Sequence, residues 1–215
     1  MKPGPDQIIS CPHCKGIAKY RTLTSGNTLG ATFWSDGKKV FPMLALPPAV
    51  IKCQHCEKSY WLTDAEKVGT VKLRGEEDQK AHPEWTAAKQ IEEPTEGDYY
   101  SAIEANLAKD RGQEKLLRIL AWWRRNDAHR TQEEIKVSVS DTCRENLEAL
   151  LRLIDQENDE DRLMKGEVLR ELGQFEDAKQ VLNSVASAKH AYIVRQIISL
   201  CANKESRVSK FQLGN

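Results

Sequence analysis

The sequence has no net charge, no long apolar run and no recognisable catalytic grouping. Its 32 Lys and Arg are matched by 32 Asp and Glu, so no bulk field of either sign draws it to nucleic acid or to a charged membrane surface. No apolar stretch approaches the ~18 residues needed to span a bilayer, which excludes a transmembrane helix and gives no reason to expect a membrane partner. The first residues are Lys2, Pro3, Gly4, Pro5 and Asp6, where a secretory signal would place an apolar core and a small-residue cleavage site; the expected location is cytoplasmic. A nucleophile beside a base, a phosphate-cradling glycine loop and paired carboxylates in a pocket are also missing. The expectation is therefore a protein that is not an enzyme. Charge of both signs is abundant, with 30% charged residues against 40% hydrophobic ones and a mean hydropathy of -0.60. That composition describes a well-solvated, helix-rich chain.

The cysteines carry the sharpest chemical signal. Six are present, and without an export signal they argue against a disulfide framework, because the cytosol keeps thiols reduced. Cys11, Cys14, Cys53 and Cys56 form two C-x-x-C pairs separated by 38 residues. A tetrahedral zinc site needs four soft or borderline ligands converging on one point, and each C-x-x-C turn supplies two. The expected cofactor is one structural Zn²⁺, with each pair topping a hairpin. A single C-x-x-C also suits a redox dithiol, but that motif belongs at the start of a helix in a βαβ context, which neither pair has. Four cysteines close the shell and leave no open position for catalysis. His13 and His55 occupy equivalent places inside the turns; each is an alternative ligand, and both are read as exposed polar residues. Cys143 and Cys201 stand alone in helical sequence and read as small buried apolar residues.

The chain changes character along its length. Residues 1–63 read as short strands and turns: Ile8 and Ile9 lead into the first cysteine pair, and Asp36-Gly37 separates two strand-like stretches, 32–35 and 38–41, as a hairpin turn does. Pro42, Pro47 and Pro48 then favour an extended connection. Residues 1–60 hold eight Lys/Arg and three Asp/Glu, a charge of +5 that falls to about +3 once four thiolates and Zn²⁺ are added. Lys38, Lys39 and Lys58 are thus candidate nucleic-acid contacts, with Phe33, Trp34, Tyr60 and Trp61 as either a base-stacking platform or the apolar core of the small module. Residues 64–95, rich in charge and broken by glycine and proline, read as a linker carrying a short helix around 85–91.

Residues 96–215 switch to helical periodicity. Ile103, Leu107, Leu116, Leu117, Leu120 and Trp123 recur at three- and four-residue intervals in much of this first stretch, and further helices are expected at 141–155, 159–172, 175–186 and 188–202. Asp141 is the expected N-cap of the first of these, and Gly173 the left-handed residue ending the second. The acidic stretch 155–161 lacks the glycine and ligand spacing of a calcium loop and reads as a solvated helix junction. Trp122, Arg124 and Arg125 form a conspicuous cluster, either helix-packing residues or a contact for a protein partner.

Two resemblances follow from these motifs. Glu171-Leu172-Gly173-Gln174-Phe175-Glu176-Asp177-Ala178 resembles the middle of a tetratricopeptide repeat, with Gly166 near the small position of the first helix. The cysteine pairs together with Ser25-Gly26-Asn27-x-x-Gly30-Ala31-x-x-Trp34-Ser35-Asp36-Gly37 resemble a group of bacterial proteins with an N-terminal zinc ribbon and a helical tail; that resemblance implies a fold and no particular activity. The fold expected is α+β, a small β zinc ribbon followed by an all-α helical-hairpin, tetratricopeptide-like domain. The function expected is a zinc-binding adaptor for a protein partner. The alternatives are a nucleic-acid-binding accessory protein and a redox- or zinc-responsive regulator.

Overall fold

Pro3 and Pro5 have no N–H to offer a strand neighbour, yet the first strand, β1 (Lys2–Ser10), runs through both. It tolerates them because its pairing with β2 (Ile17–Ser25) slips register between Lys2 and Pro3 and again between Pro3 and Asp6. Beyond the slips the ladder is regular, from Gln7 opposite Tyr20 to Ser10 opposite Ile17. The computed structural model describes residues 1–72, 81–131 and 140–211, and the chain divides into two compact units, Met1–Ala31 with Phe41–Leu107, and Thr32–Val40 with Ala108–Asn215. Among the described residues there are seven α-helices, and no helix is long and apolar enough to cross a membrane.

The first unit is built on a four-stranded sheet in the order β7-β1-β2-β8, where β7 is Glu66–Val71 and β8 is Lys89–Gln90. Strand β8 lies parallel to β2 and the other pairs are antiparallel. A second hairpin joins β5 (Val50–Lys52) to β6 (Ser59–Trp61). Ile9, Cys11, Ile51, Cys53 and Tyr60 close over one another as its core. The stretch 64–95, expected to be a linker, therefore differs from that reading: it supplies two strands of this sheet. Its short helix α1 (Pro83–Ala87) carries Trp85 onto Gly69, where any Cβ would stand 2.5 Å from the indole; the glycine there makes room for the ring rather than loosening the chain. Helix α2 (Glu96–Glu104) begins with a reciprocal Thr95/Asp98 capping box and packs against β6.

The second unit contains α3 (Arg111–Thr131), α4 (Asp141–Leu153), α5 (Asp159–Glu171), α6 (Phe175–Asn183) and α7 (Ala191–Ala202). These follow the periodicity closely, with two differences: residues 96–107, expected in the helical domain, belong to the first unit, and Ser140 rather than Asp141 caps α4, accepting the Cys143 amide at 3.2 Å. Helices α5 and α6 form a close pair across Gly173, whose φ of +80° needs no Cβ. At Gly166 a Cβ would meet Leu182 Cγ at 2.5 Å, and Ala178 is fully buried. Small residues at these positions let the helices approach. Cys143 and Cys201 are buried in the two apolar clusters of this unit, as expected.

The hairpin β3–β4 (Thr32–Phe33 and Lys39–Val40) forms around Gly37 at φ +82°, as the Asp-Gly pair indicates. Its allegiance differs from the sequence reading: it belongs to the helical unit. Phe33 packs with the α5–α7 cluster, and the Phe211 amide donates to the Phe33 carbonyl at 2.8 Å.

Candidate metal centre

Each C-x-x-C motif is the turn of a hairpin, and the two turns are built alike. In the β1–β2 turn the Lys15 amide donates to the Cys11 carbonyl at 3.0 Å and the Cys11 amide to the Gly16 carbonyl at 2.9 Å. In the β5–β6 turn the Glu57 amide donates to the Cys53 carbonyl at 2.8 Å and the Cys53 amide to the Lys58 carbonyl at 3.0 Å. Lys15 and Glu57 take the same left-handed backbone, φ +63° and +61°. Such a turn aims amides at the sulfur of its first cysteine; the His55 amide stands 3.4 Å from Cys53 Sγ.

The two turns bring their sulfurs to one point. The Sγ atoms of Cys11, Cys14, Cys53 and Cys56 all lie within 4.8 Å of one another, with Cys11–Cys56 at 3.9 Å and Cys14–Cys53 at 3.6 Å. Four thiolates about 2.3 Å from one ion form a tetrahedron with edges of about 3.8 Å, so the donor set fits a metal. Burial pushes the Cys11 thiol up and the Cys53 thiol up to about 12, whereas the Gly16 amide draws Cys14 down to about 7. A bound cation would offset the burial penalty and release the thiol protons. His13 and His55 are exposed and outside this sulfur cluster. The His55 ring has another role: it crosses Gly16, where a Cβ would stand 2.4 Å from it, and its Nε2 lies 3.2 Å from the Ile17 carbonyl. It thereby pins one turn to the other.

The other expected site residues divide between the units. Tyr60 and Trp61 are buried, and the Trp61 indole donates to the Leu107 carbonyl at 3.2 Å; they are core, as the bulk-starved small module requires. Phe33 and Trp34 belong with Lys38 and Lys39 to the helical unit, while the exposed Lys58 stays in the cysteine unit. The three lysines do not form one face of one unit. Lys38 is ion-paired to Asp127 at 2.7 Å, and Lys39 is exposed. Of the proposed partner contacts, Trp122 is fully buried and Arg125 nearly so, which removes both from the surface; the packing reading of this cluster applies to them. Arg124 is half-buried beside Asp127 at 3.6 Å.

A second polar cluster, absent from the sequence reading, lies inside the helical unit. The hairpin inserts Asp36, which accepts from Asn126 Nδ2 at 3.0 Å, from the Lys38 amide at 3.1 Å and from the Arg130 guanidinium. Its carbonyl accepts the Trp123 indole N–H at 2.9 Å. Glu171 accepts from Trp122 Nε1 at 2.8 Å and from the same Asn126 amide at 3.1 Å. Arg170 donates to Glu167 at 2.8 Å and to Ser35 Oγ at 3.4 Å. Three buried carboxylates thus face two buried guanidiniums. Burial, then the charges of Glu167 and Asp36, lifts Glu171 to about 8; a proton there balances the cluster. One sequence signal pointed here: Trp122, Asn126 and Arg130 fall four apart on one helix face, putting polar residues in line with a core tryptophan.

Comparison of the chain with protein-family models, with curated proteins and with solved structures found no match.

Proposed function

We propose that the protein is a non-enzymatic, zinc-binding adaptor: zinc fixes the fold of the cysteine unit, and the helical unit, with its tetratricopeptide-like α5–α6 pair, receives a protein segment. The observation that carries this reading is the four-sulfur shell. Zinc favours tetrahedral thiolate coordination, and a shell filled by protein ligands has no position for water or substrate. Such an ion holds shape and leaves recognition to the surfaces around it.

Charge speaks against nucleic acid as the partner. Over the residues of the cysteine unit there are eleven Lys/Arg and thirteen Asp/Glu, a formal charge of -2; four thiolates and Zn²⁺ lower it to about -4. The basic excess of residues 1–60 is offset by the acidic residues that follow in the same unit. Binding that rests on phosphate contacts needs a clustered basic face.

The test is elemental analysis and native mass of protein purified without added zinc, followed by affinity capture with nuclease treatment and raised salt. One zinc per chain, lost on chelation together with the β-sheet, and a captured protein that survives nuclease and salt are expected. A metal-free folded protein with titrating thiols would replace the adaptor with a redox reading. Capture abolished by nuclease would replace it with nucleic-acid binding.

A further inference from the structure

A cleft of about 780 Å³ opens in the helical unit, walled by Trp34, His129, Arg130, Glu205, Arg207 and Lys210. Three of the residues that line it carry a buried nitrogen with no hydrogen-bond partner among the described residues: Trp34 Nε1, His129 Nδ1 and Arg130 Nε. Their surroundings explain why no protein group satisfies them. The rest of the Arg130 guanidinium is held by Asp36, by Asp127 at 2.7 Å and by the Trp123 carbonyl at 2.8 Å, and it stacks over the Trp34 ring at 5.3 Å. The cleft's acidic group, Glu205, is engaged by the Arg207 amide at 2.9 Å and the Arg207 guanidinium at 3.2 Å. Lys210 is exposed at the rim. The cleft is thus lined by three cationic side chains and one carboxylate, with Arg130 paired to Asp36 and Asp127 and Arg207 paired to Glu205.

We propose that this cleft binds an oxyanion, either a tetrahedral group such as sulfate or phosphate or a planar carboxylate, received by Trp34, His129 and Arg130 with Arg207 and Lys210 at the rim. A buried donor without an acceptor is a standing destabilisation that such a ligand removes. Contact with the ligand requires the indole and the imidazole to turn their buried nitrogens toward the cleft. Electrostatics point the same way. Burial, then the charges of Arg125, Arg207 and Arg130, hold His129 below its usual range against the opposing charge of Glu205; an anion placed there offsets the cations and favours the imidazolium. The site makes no use of the metal and stands apart from the adaptor reading.

The test is a titration of the full, metal-replete chain with sulfate and with acetate at constant ionic strength, chloride serving as control. The Trp34 indole N–H and the His129 ring are followed by NMR. Both resonances are expected to move saturably with an oxyanion and not with chloride, and the tighter of the two identifies the tetrahedral or planar source. Trp34→Phe keeps a ring over Arg130 but removes the N–H, and is expected to weaken binding about tenfold; Lys210→Gln, at the exposed rim, about twofold. Because sulfate keeps its charge between about pH 6 and pH 8, tighter binding at the lower pH reports the imidazolium. Absence of a saturable shift with either oxyanion, an equal response to chloride, or unchanged affinity in Lys210→Gln would overturn the proposal even if Trp34→Phe fails to fold.

Discussion

The cysteine unit and the helical unit both gather polar, ionisable groups in their interiors, but by opposite routes. In the cysteine unit each pair of ligands comes from one six-residue turn, Cys11–Gly16 or Cys53–Lys58, so each half of the one site is made locally before any long-range contact forms. In the helical unit the partners of Asp36 are Asn126 and Arg130, some ninety residues away, and the cluster exists only once hairpin and helices are packed. Local geometry with an external ion is a robust way to hold charge. A buried network of side chains is a conditional one, because every member depends on the others.

Removing a ligand draws this contrast most strongly. Cys53→Ala is expected to abolish metal binding and with it a contribution on the order of 10 kcal/mol to folding of the cysteine unit. Amide exchange in β1, β2, β5 and β6 would rise toward that of an unfolded chain, while α4 to α7 stay protected. Equal loss of protection in the helices would show that the two units are not independently stable.

Asp36→Ala is the converse experiment. It alters a residue in the N-terminal quarter of the sequence, yet its effect is expected in the helical unit, because it leaves the buried Arg130 guanidinium without the more buried of its two carboxylates. A loss of about 3–5 kcal/mol is expected, read from denaturant unfolding by tryptophan fluorescence. A change below about 1 kcal/mol would mean that Asp127 and backbone carbonyls suffice to hold the guanidinium.

The same contrast decides what was legible in the sequence. C-x-x-C spacing names four ligands without any structure, since the turn that uses them is contained in the motif. The helices were legible from periodicity, and Asp36-Gly37 announced its hairpin. What spacing could not show is which unit the hairpin joins, for Phe33 and Trp34 satisfy an apolar core equally well in either. Strand β7 was hidden because Glu66, Lys67, Gly69 and Thr70 lie in a charged stretch with no sustained apolar period. Its pairing with β1 is a backbone matter, to which side-chain patterns are blind. The oxygen-rich cluster around Glu171 was hidden for the same reason as the Asp36 contact: its partners are distant in sequence.

Acidity tests the conditional unit through its buried carboxylates. Glu171 is raised to about 8 in the folded chain from an ordinary 4.5, and Asp36 is also raised, both chiefly by burial. The folded state therefore holds protons that the unfolded state releases, so this contribution to stability is fully present below about pH 4.5 and is lost as pH rises through about 8. The slope from Glu171 is at most about 1.4 kcal/mol per pH unit. Glu171→Gln carries no titrating group and is expected to flatten helical unfolding measured across that window. An unchanged slope would place the coupling elsewhere.

The smallest effects concern backbone shape, and here the units should differ in sign. Lys15 and Glu57 sit at φ +63° and +61°, a region that costs a residue with a Cβ about 1–2 kcal/mol. Glycine removes that cost but gives the unfolded chain more freedom, worth about 0.4–1 kcal/mol. Lys15→Gly and Glu57→Gly are therefore each expected to raise the stability of the metal-loaded protein slightly, by about 0.5 kcal/mol, and by similar amounts because their turns are equivalent. The weak Lys15–Glu66 contact at 3.9 Å, exposed on both sides, does not alter this. In the helical unit Gly173 already occupies such a position at φ +80°, and Gly173→Ala is expected to lower stability by about 1 kcal/mol. Thermal midpoints of the three variants, measured with the metal saturated, decide the matter. Destabilisation by Lys15→Gly or Glu57→Gly would show that their side chains do something for the sulfur-bearing turns that their backbone angles do not reveal.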